Sequence, residues 1–357
     1  MDFIALTFIR ACIHTINKRE PSLPCATVDP SSCLTVLDPA VSALFKVRLN
    51  DAFGKRGKSF EDLPIANIGE YSFFGIAKNL RTLEDIEFLD ATVLLANKLA
   101  ESQTRQGIPG GYMITIDAVD NLAQPVVIAI KAELHEALRN NSEGEIPMLE
   151  LVNDIFLSKS DKLFKIGILM KKDNPEESYP NSEWTAILYD ENFTPGSKPS
   201  DYFWNGFLGL DISKNGKIQT SRFYTKMVDF IAQNYQGFEA QNAAKTRLEE
   251  LMANENITIL DPEQIKQTII APDLRGDFTE EIQSEFSHLI PKDTTLLENK
   301  IENHQIYFNN GIKVTGKKNQ IQQQMRIIKN SDQLRNLSIE PGATIIVLPG
   351  DPSTVKK

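Results

Sequence analysis

Asp211, Ser213 and Asn215 stand at alternate positions and are followed at once by Gly216, the spacing with which a calcium loop opens. Calcium needs six to eight oxygens, and in that loop type a bidentate Glu at position 12 completes the cage. Position 12 is Arg222, which would place a cation against a cation. The stretch before it, "YFWNGFLGL", is aromatic and glycine-rich and does not read as an amphipathic entry helix. The segment is therefore expected to be an Asx-type turn built from Asp, Ser, Asn and Gly.

Three further groupings could carry chemistry. "GKRGKS", Gly54 to Ser59, ends like a phosphate-cradling loop, but the first glycine of that motif is replaced by Ala52, so the backbone cannot wrap a nucleotide in the usual way. What remains is a basic cluster, Lys46, Arg48, Lys55, Arg56 and Lys58, against Asp51 alone. Asp117 and Glu133 lie on two neighbouring strand-like runs and are the candidate pair for a nuclease magnesium site, with Lys131 two residues before Glu133. Cys12, Cys25 and Cys33 with His14 lack the C-x-x-C spacing of a zinc site. His14 itself, between apolar neighbours, reads as a core histidine. No H-E-x-x-H or G-x-S-x-G pattern is present, so the common hydrolase signatures are missing. No catalytic residue, metal ligand or cofactor motif is assigned.

A net charge of −10 over 357 residues argues against a surface that is basic throughout; polyanion binding would need local patches. From Lys313 to Arg335 six basic residues stand against Asp332, whereas Asp261 to Glu302 holds ten acidic and four basic residues. On a helix through "KKNQIQQQMRIIKN", Lys318, Gln322, Arg326 and Lys329 share a face apart from the stripe Ile321, Met325 and Ile328. The acidic segment reads as a solvated face. The apolar opening carries Asp2 and Arg10 and so lacks the charge order of a signal peptide, and no run approaches the length of a membrane span. A cytoplasmic protein without a membrane segment is expected.

These groups must be held by the surrounding elements. The amino-terminal run ending at "NKREP" reads as strand or short helix, and "EPSLPCATVDPSSC" as loop. "TLED" from Thr82 opens a helix carrying Ile86, Leu89, Val93, Ala96 and Ala100 at helical spacing, ended by Gly107. "GGYMITIDAV" and "QPVVIAIKAEL" predict an antiparallel strand pair, continued by "LFKIGILMK" and "EWTAILYD". A helix from Ser221 presents Phe223, Met227, Phe230, Ile231 and Tyr235 on one face, "EAQNAAKTRLEELMANE" an exposed helix, and "HQIYFNNGIKVTG" a hairpin. "ATIIVLPG" reads as a last strand and "DPSTVKK" as a frayed tail. Clustered strands favour α+β: a mainly antiparallel sheet flanked by helices over residues 1–237, and a smaller carboxy-terminal α+β lobe over 238–357.

Taken together, "FIRACIHTINK", "FLDATVLLANKLAESQ", "GGYMITID", "VVIAIKAEL", "FLGLDISKNGKIQTSRFYTKMVDFI" and "IYFNNGIKVTGKKNQIQ" resemble a bacterial nucleoid-associated protein family often called NdpA. The resemblance is dispersed from about Ile4 to Ile328 and carries no catalytic residues. It implies a cytoplasmic protein located with the nucleoid, with DNA binding as its activity. Contacts to backbone phosphates, without base reading, would come from Lys55, Arg56, Lys58, Lys317, Lys318, Arg326 and Lys329. A homodimer would raise the avidity of such patches. Two alternatives stay open: a metal-dependent nuclease or other nucleic-acid enzyme using Asp117 and Glu133, and an interaction module whose acidic face binds a protein partner.

Overall fold

The computed structural model describes residues 3–54, 57–133, 163–172, 183–308, 313–317 and 352–354. They form an α+β protein of two compact units, 1–213 and 214–357.

The first unit is built on a seven-stranded antiparallel sheet. Its strands are β1 (Thr7–Asn17), β2 (Thr27–Asp29), β3 (Ser59–Leu63), β4 (Gly111–Val119), β5 (Pro125–Glu133), β6 (Leu163–Lys171) and β7 (Trp184–Asp190), in the order β2-β1-β4-β5-β6-β7-β3. The β4–β5 pair and its continuation into β6 and β7 are those expected from the Val- and Ile-rich runs. "EPSLPCATVDPSSC", expected as loop, contains the short strand β2.

Because strand side chains alternate between faces, the sheet has two chemically different sides. One side, with Ala11, Ile13, Ile114, Ile116, Ile128, Ile130, Ile166 and Ile168, forms an apolar core with helix α1 (Pro39–Phe53). That helix buries Val41, Phe45, Leu49 and Ala52, the i, i+4, i+8, i+11 stripe of an amphipathic helix. Asp38 caps it by accepting from the Val41 N–H, and Pro39 occupies its first position, where the missing N–H is harmless. Lys46 and Arg48, expected in a basic loop, therefore sit on a helix.

The other side faces α2 (Phe73–Ala77), α3 (Asp85–Ser102) and a π-turn at Tyr202–Phe207. Helix α3 exists as expected, but Glu84 and Glu87, not Thr82 and Asp85, form its capping box. Its buried residues are Phe88, Ala91, Thr92, Leu95, Ala96, Leu99 and Ala100, while Ile86 is 78% exposed. The apolar stripe is thus rotated, because Phe88 and Thr92 pack over β1 side chains. Gly75 in α2 has no room for a side chain: a Cβ there would lie 2.2 Å from the Gly69 carbonyl oxygen.

The expected turn at Asp211 is observed, its Oδ1 accepting from the Ser213 N–H at 2.7 Å.

In the second unit, Asn215 accepts from the Ile218 N–H and so caps α4 (Gly216–Asn234). This helix starts five residues before the expected Ser221. It shares a core with α5 (Phe238–Ala253): Phe223, Met227, Phe230 and Ile231 pack with Ala244, Leu248, Met252, Phe278 and Phe286. The shared core places α4 in the carboxy-terminal unit and moves the boundary from Gly237 to residue 214. Helix α5 is not the exposed helix expected, since it buries Gln241, Lys245 and Glu249 besides its apolar residues. The ammonium of Lys292 donates to the carbonyls of Leu251, Met252 and Asn254, closing the carboxy-terminal end of α5 where the helix dipole is negative. A two-stranded pairing joins β8 (Ile259–Leu260) to β9 (Ile290–Pro291). The expected hairpin is observed as β10 (Asn303–Phe308) and β11 (Lys313–Lys317). Pro352–Thr354, read as tail, pairs with β10 as β12. The helix expected at Lys317–Asn330 and the strand at "ATIIVLPG" lie outside the described residues, apart from Lys317.

Candidate functional site

The side of the sheet under α3 carries a polar row that runs straight across five strands. In register, His14 of β1 lies beside Met113, Met113 beside Lys131, Lys131 beside Lys165, and Lys165 beside Asp190. All five are buried, the four polar ones at 2% exposure or less. Each polar member is satisfied locally. Lys165 Nζ donates to Asp190 Oδ1 at 2.8 Å and lies 5.8 Å from the centre of the Tyr202 ring. Lys131 Nζ donates to the carbonyls of Pro109 and Gly110. Asp190 also accepts from the backbone N–H groups of Asn192 and Ser200. Burial pushes the Asp190 carboxyl up, but Lys165 and the Ser200 hydrogen bonds outweigh it and hold the group below its ordinary range.

His14 illustrates how the row is fixed. Its Nδ1 accepts from the Ser31 N–H at 3.1 Å, so the ring proton sits on Nε2 and donates to Thr92 Oγ1 at 2.9 Å. The Thr92 hydroxyl in turn donates a hydrogen bond to the Leu89 carbonyl. Burial lowers the His14 pKa to about 4, so the ring is neutral at pH 7, as a core histidine. In the unfolded chain the ring takes up a proton near 6.5. Stability must therefore fall as pH drops from 6.5 toward 4, by about 2 kcal/mol between pH 7 and pH 5 from this group alone. Urea unfolding at the two pH values should show that loss in the wild type and a smaller one in His14→Gln. Equal losses would show that His14 is not the group responsible.

A second buried polar group lies one strand end away. Asp117 is fully buried and accepts from Arg10 Nε at 3.2 Å, with Arg81 Nη1 at 3.6 Å. Arg10 also donates to Asp85 and to the carbonyls of Leu80 and Leu83, and its guanidinium stacks 4.2 Å from the centre of the Phe88 ring. These contacts tie the sheet to the start of α3.

The geometry removes Asp117 and Glu133 as a common metal site. Asp117 is level with Val127 on β5, whereas Glu133 is level with Gly111, six residues further along, or about 20 Å at the rise of a strand. Two ligands of one ion cannot be that far apart. Among the described residues no group of three or more His, Cys, Asp or Glu is placed to hold a metal. Cys12, Cys25 and Cys33 are free thiols.

Of the residues expected to contact phosphates, Lys58 and Lys317 fall within the described residues; Lys55, Arg56, Lys318, Arg326 and Lys329 lie outside them. Lys58 is bound inward: its ammonium donates to the carbonyls of Glu191 and Phe193, securing the chain that leaves β7. Lys317 is exposed at the end of β11. In the acidic segment, Asp273, Asp277, Glu280 and Glu281 are exposed, whereas Glu285 is engaged by Arg222 and Lys226. Arg222, which occupies the position of a calcium-ligating Glu, thus has an anionic partner of its own.

Among the described residues no helix is long and apolar enough to cross a membrane. No protein-family model matches the chain, and no curated protein matches it either.

Proposed function

We propose that the chain is a nucleoid-associated protein that binds DNA through backbone phosphates, largely without reading sequence. The observation that supports this most directly is the charge distribution around Lys317. That lysine is exposed where β11 ends, and it lies in the segment Lys313–Arg335, in which six basic residues stand against one acidic residue within a chain of net charge −10. Such a concentration supplies the phosphate-neutralising cations that drive binding by counterion release. Lys55 and Arg56, next to the end of α1, would add a second patch, and a symmetric homodimer would double both. Lys58 drops out of the contact set, because its ammonium is held by two carbonyls. Metal-dependent cleavage through Asp117 and Glu133 has no support in their placement.

The test is a titration of the full chain against double- and single-stranded DNA at 50 to 200 mM salt. Affinity should fall linearly on a double-logarithmic plot, with a slope of about −0.9 per duplex phosphate contacted. Substituting Lys318, Arg326 and Lys329 together by Ala should make the slope shallower by about two to three, while Lys58→Ala should leave it unchanged. No measurable binding at 50 mM salt would dispose of the reading. An unaltered slope in the triple variant would remove the carboxy-terminal segment from it.

A further inference from the structure

The edge of the sheet at β1 is only partly covered. The short strand β2 pairs with Thr15–Asn17, and Thr35 makes a single bridge to Ala11, its N–H donating to the Ala11 carbonyl at 2.8 Å. Among the described residues nothing pairs with the outer side of Thr7–Arg10, which leaves backbone donors and acceptors there. A cavity of about 560 Å³ adjoins this stretch, with Leu34, Leu37 and Leu83 supplying apolar walls. Ile9, the extra residue at the point where the β1–β4 register shifts, is 41% exposed beside it.

One polar atom of this cavity is unsatisfied. Thr35 is only 5% exposed, and its hydroxyl has no hydrogen-bond partner, a state that costs free energy unless a ligand completes it. The charges at the mouth are unequal in availability. Arg10 is engaged by Asp117, Asp85 and the carbonyls of Leu80 and Leu83, and Arg81 leans on Asp117. Glu84 is exposed on the rim, and so is Asp85, one of whose oxygens holds Arg10 at 3.0 Å. The opposite edge strand, β3, is guarded differently: it presents Glu61 and Asp62, the latter at a positive φ of 51°, charges and a kink that deter strand addition.

We propose that the open edge of β1 and its cavity dock an extended peptide strand bearing apolar side chains and a Lys or Arg. The peptide backbone would continue the sheet from Thr7–Arg10, an apolar side chain would enter between Leu34, Leu37 and Leu83, and its cation would meet Glu84 and Asp85. This is recognition by strand addition, in which the main chain gives affinity and the pocket gives specificity. It involves neither Lys317 nor the basic segment, so it stands or falls separately from DNA binding.

A random octapeptide display library panned on the full-length protein tests it. Enriched peptides should alternate apolar residues and contain Lys or Arg, and a synthetic copy should bind in fluorescence anisotropy. Methylating the backbone nitrogens of that copy should abolish binding. Ile9→Lys should weaken it at least tenfold. Thr35→Val should weaken it several-fold at a melting temperature no lower than that of the wild type, since it deletes only a buried, unpartnered hydroxyl. The proposal is overturned if no peptide enriches over an unrelated control protein, or if binding ignores Ile9→Lys or backbone methylation. It is equally overturned if sedimentation reveals a dimer that Ile9→Lys dissolves, because the occupant would then be a second copy of the chain.

Discussion

Replacing Asp190 by Ala is expected to lower the unfolding free energy by about 3–5 kcal/mol, the usual consequence of stranding one member of a buried ion pair. Lys165 would be left at 2% side-chain exposure without the carboxylate 2.8 Å away. The N–H groups of Asn192 and Ser200 would lose their acceptor as well. The reverse change, Lys165→Met, leaves Asp190 with those two donors and should cost less. The combined variant Lys165→Met/Asp190→Asn removes both charges while retaining an oxygen for the backbone, and should recover most of what Asp190→Ala loses. Urea unfolding of these proteins at pH 7, with Asp190→Asn alone added so that both singles match the double variant, closes the cycle. A loss below about 1 kcal/mol for Asp190→Ala, or strictly additive single effects, would mean that the pair is not coupled as its geometry requires.

Why this pair escaped the sequence is instructive. "LFKIGILMK" and "EWTAILYD" announce strands by their Ile, Leu and aromatic content, and both strands are where those residues place them. A lysine inside such a run is visible as an oddity, but its partner stands 25 residues later and the pairing depends on the register between β6 and β7. Register is a tertiary quantity fixed by which face is buried. The same holds for His14 and Thr92, and for Arg10 and Asp117, which are separated by 78 and 107 residues.

Other features are legible in the sequence. Asp38-Pro39 followed by Val41, Phe45 and Leu49 is a complete helix-start signal, and it places Lys46 and Arg48 on that helix. In α3 the expected stripe through Ile86 and Val93 and the observed one through Phe88 and Leu95 are equally regular in the sequence; only packing on β1 decides between them. Gly237, the expected boundary, does separate two helices and has a positive φ. Whether two helices share a core is not written in the residue that separates them. Of the candidate site, sequence alone identified the concentrations of basic residues; the inward use of Lys58 depends on carbonyls more than 130 positions away.

Arg10 should prove as sensitive as Asp190, for a different reason. Its planar guanidinium serves Asp117, Asp85 and two carbonyls simultaneously, a fork that a lysine ammonium cannot reproduce. Arg10→Lys is therefore expected to cost about 2–4 kcal/mol and Arg10→Met about 3–5 kcal/mol. The larger value reflects Asp117, which would be left fully buried with Arg81 at 3.6 Å as its remaining cation. Burial already pushes the Asp117 carboxyl up, against the pull of Arg81 and Arg10, and removing Arg10 would push it further. A buried acid of raised pKa holds a proton that the unfolded chain has released, so stability falls as pH rises through that interval. Arg10→Met should accordingly be less destabilised at pH 5 than at pH 7, and adding Asp117→Leu should abolish that difference. Denaturation of the three proteins at both pH values reads the result directly. If Arg10→Lys unfolds within 1 kcal/mol of the wild type, the fork does not hold α3 to the sheet, and the wall it gives the β1 cavity must be fixed by Phe88 and its neighbours instead.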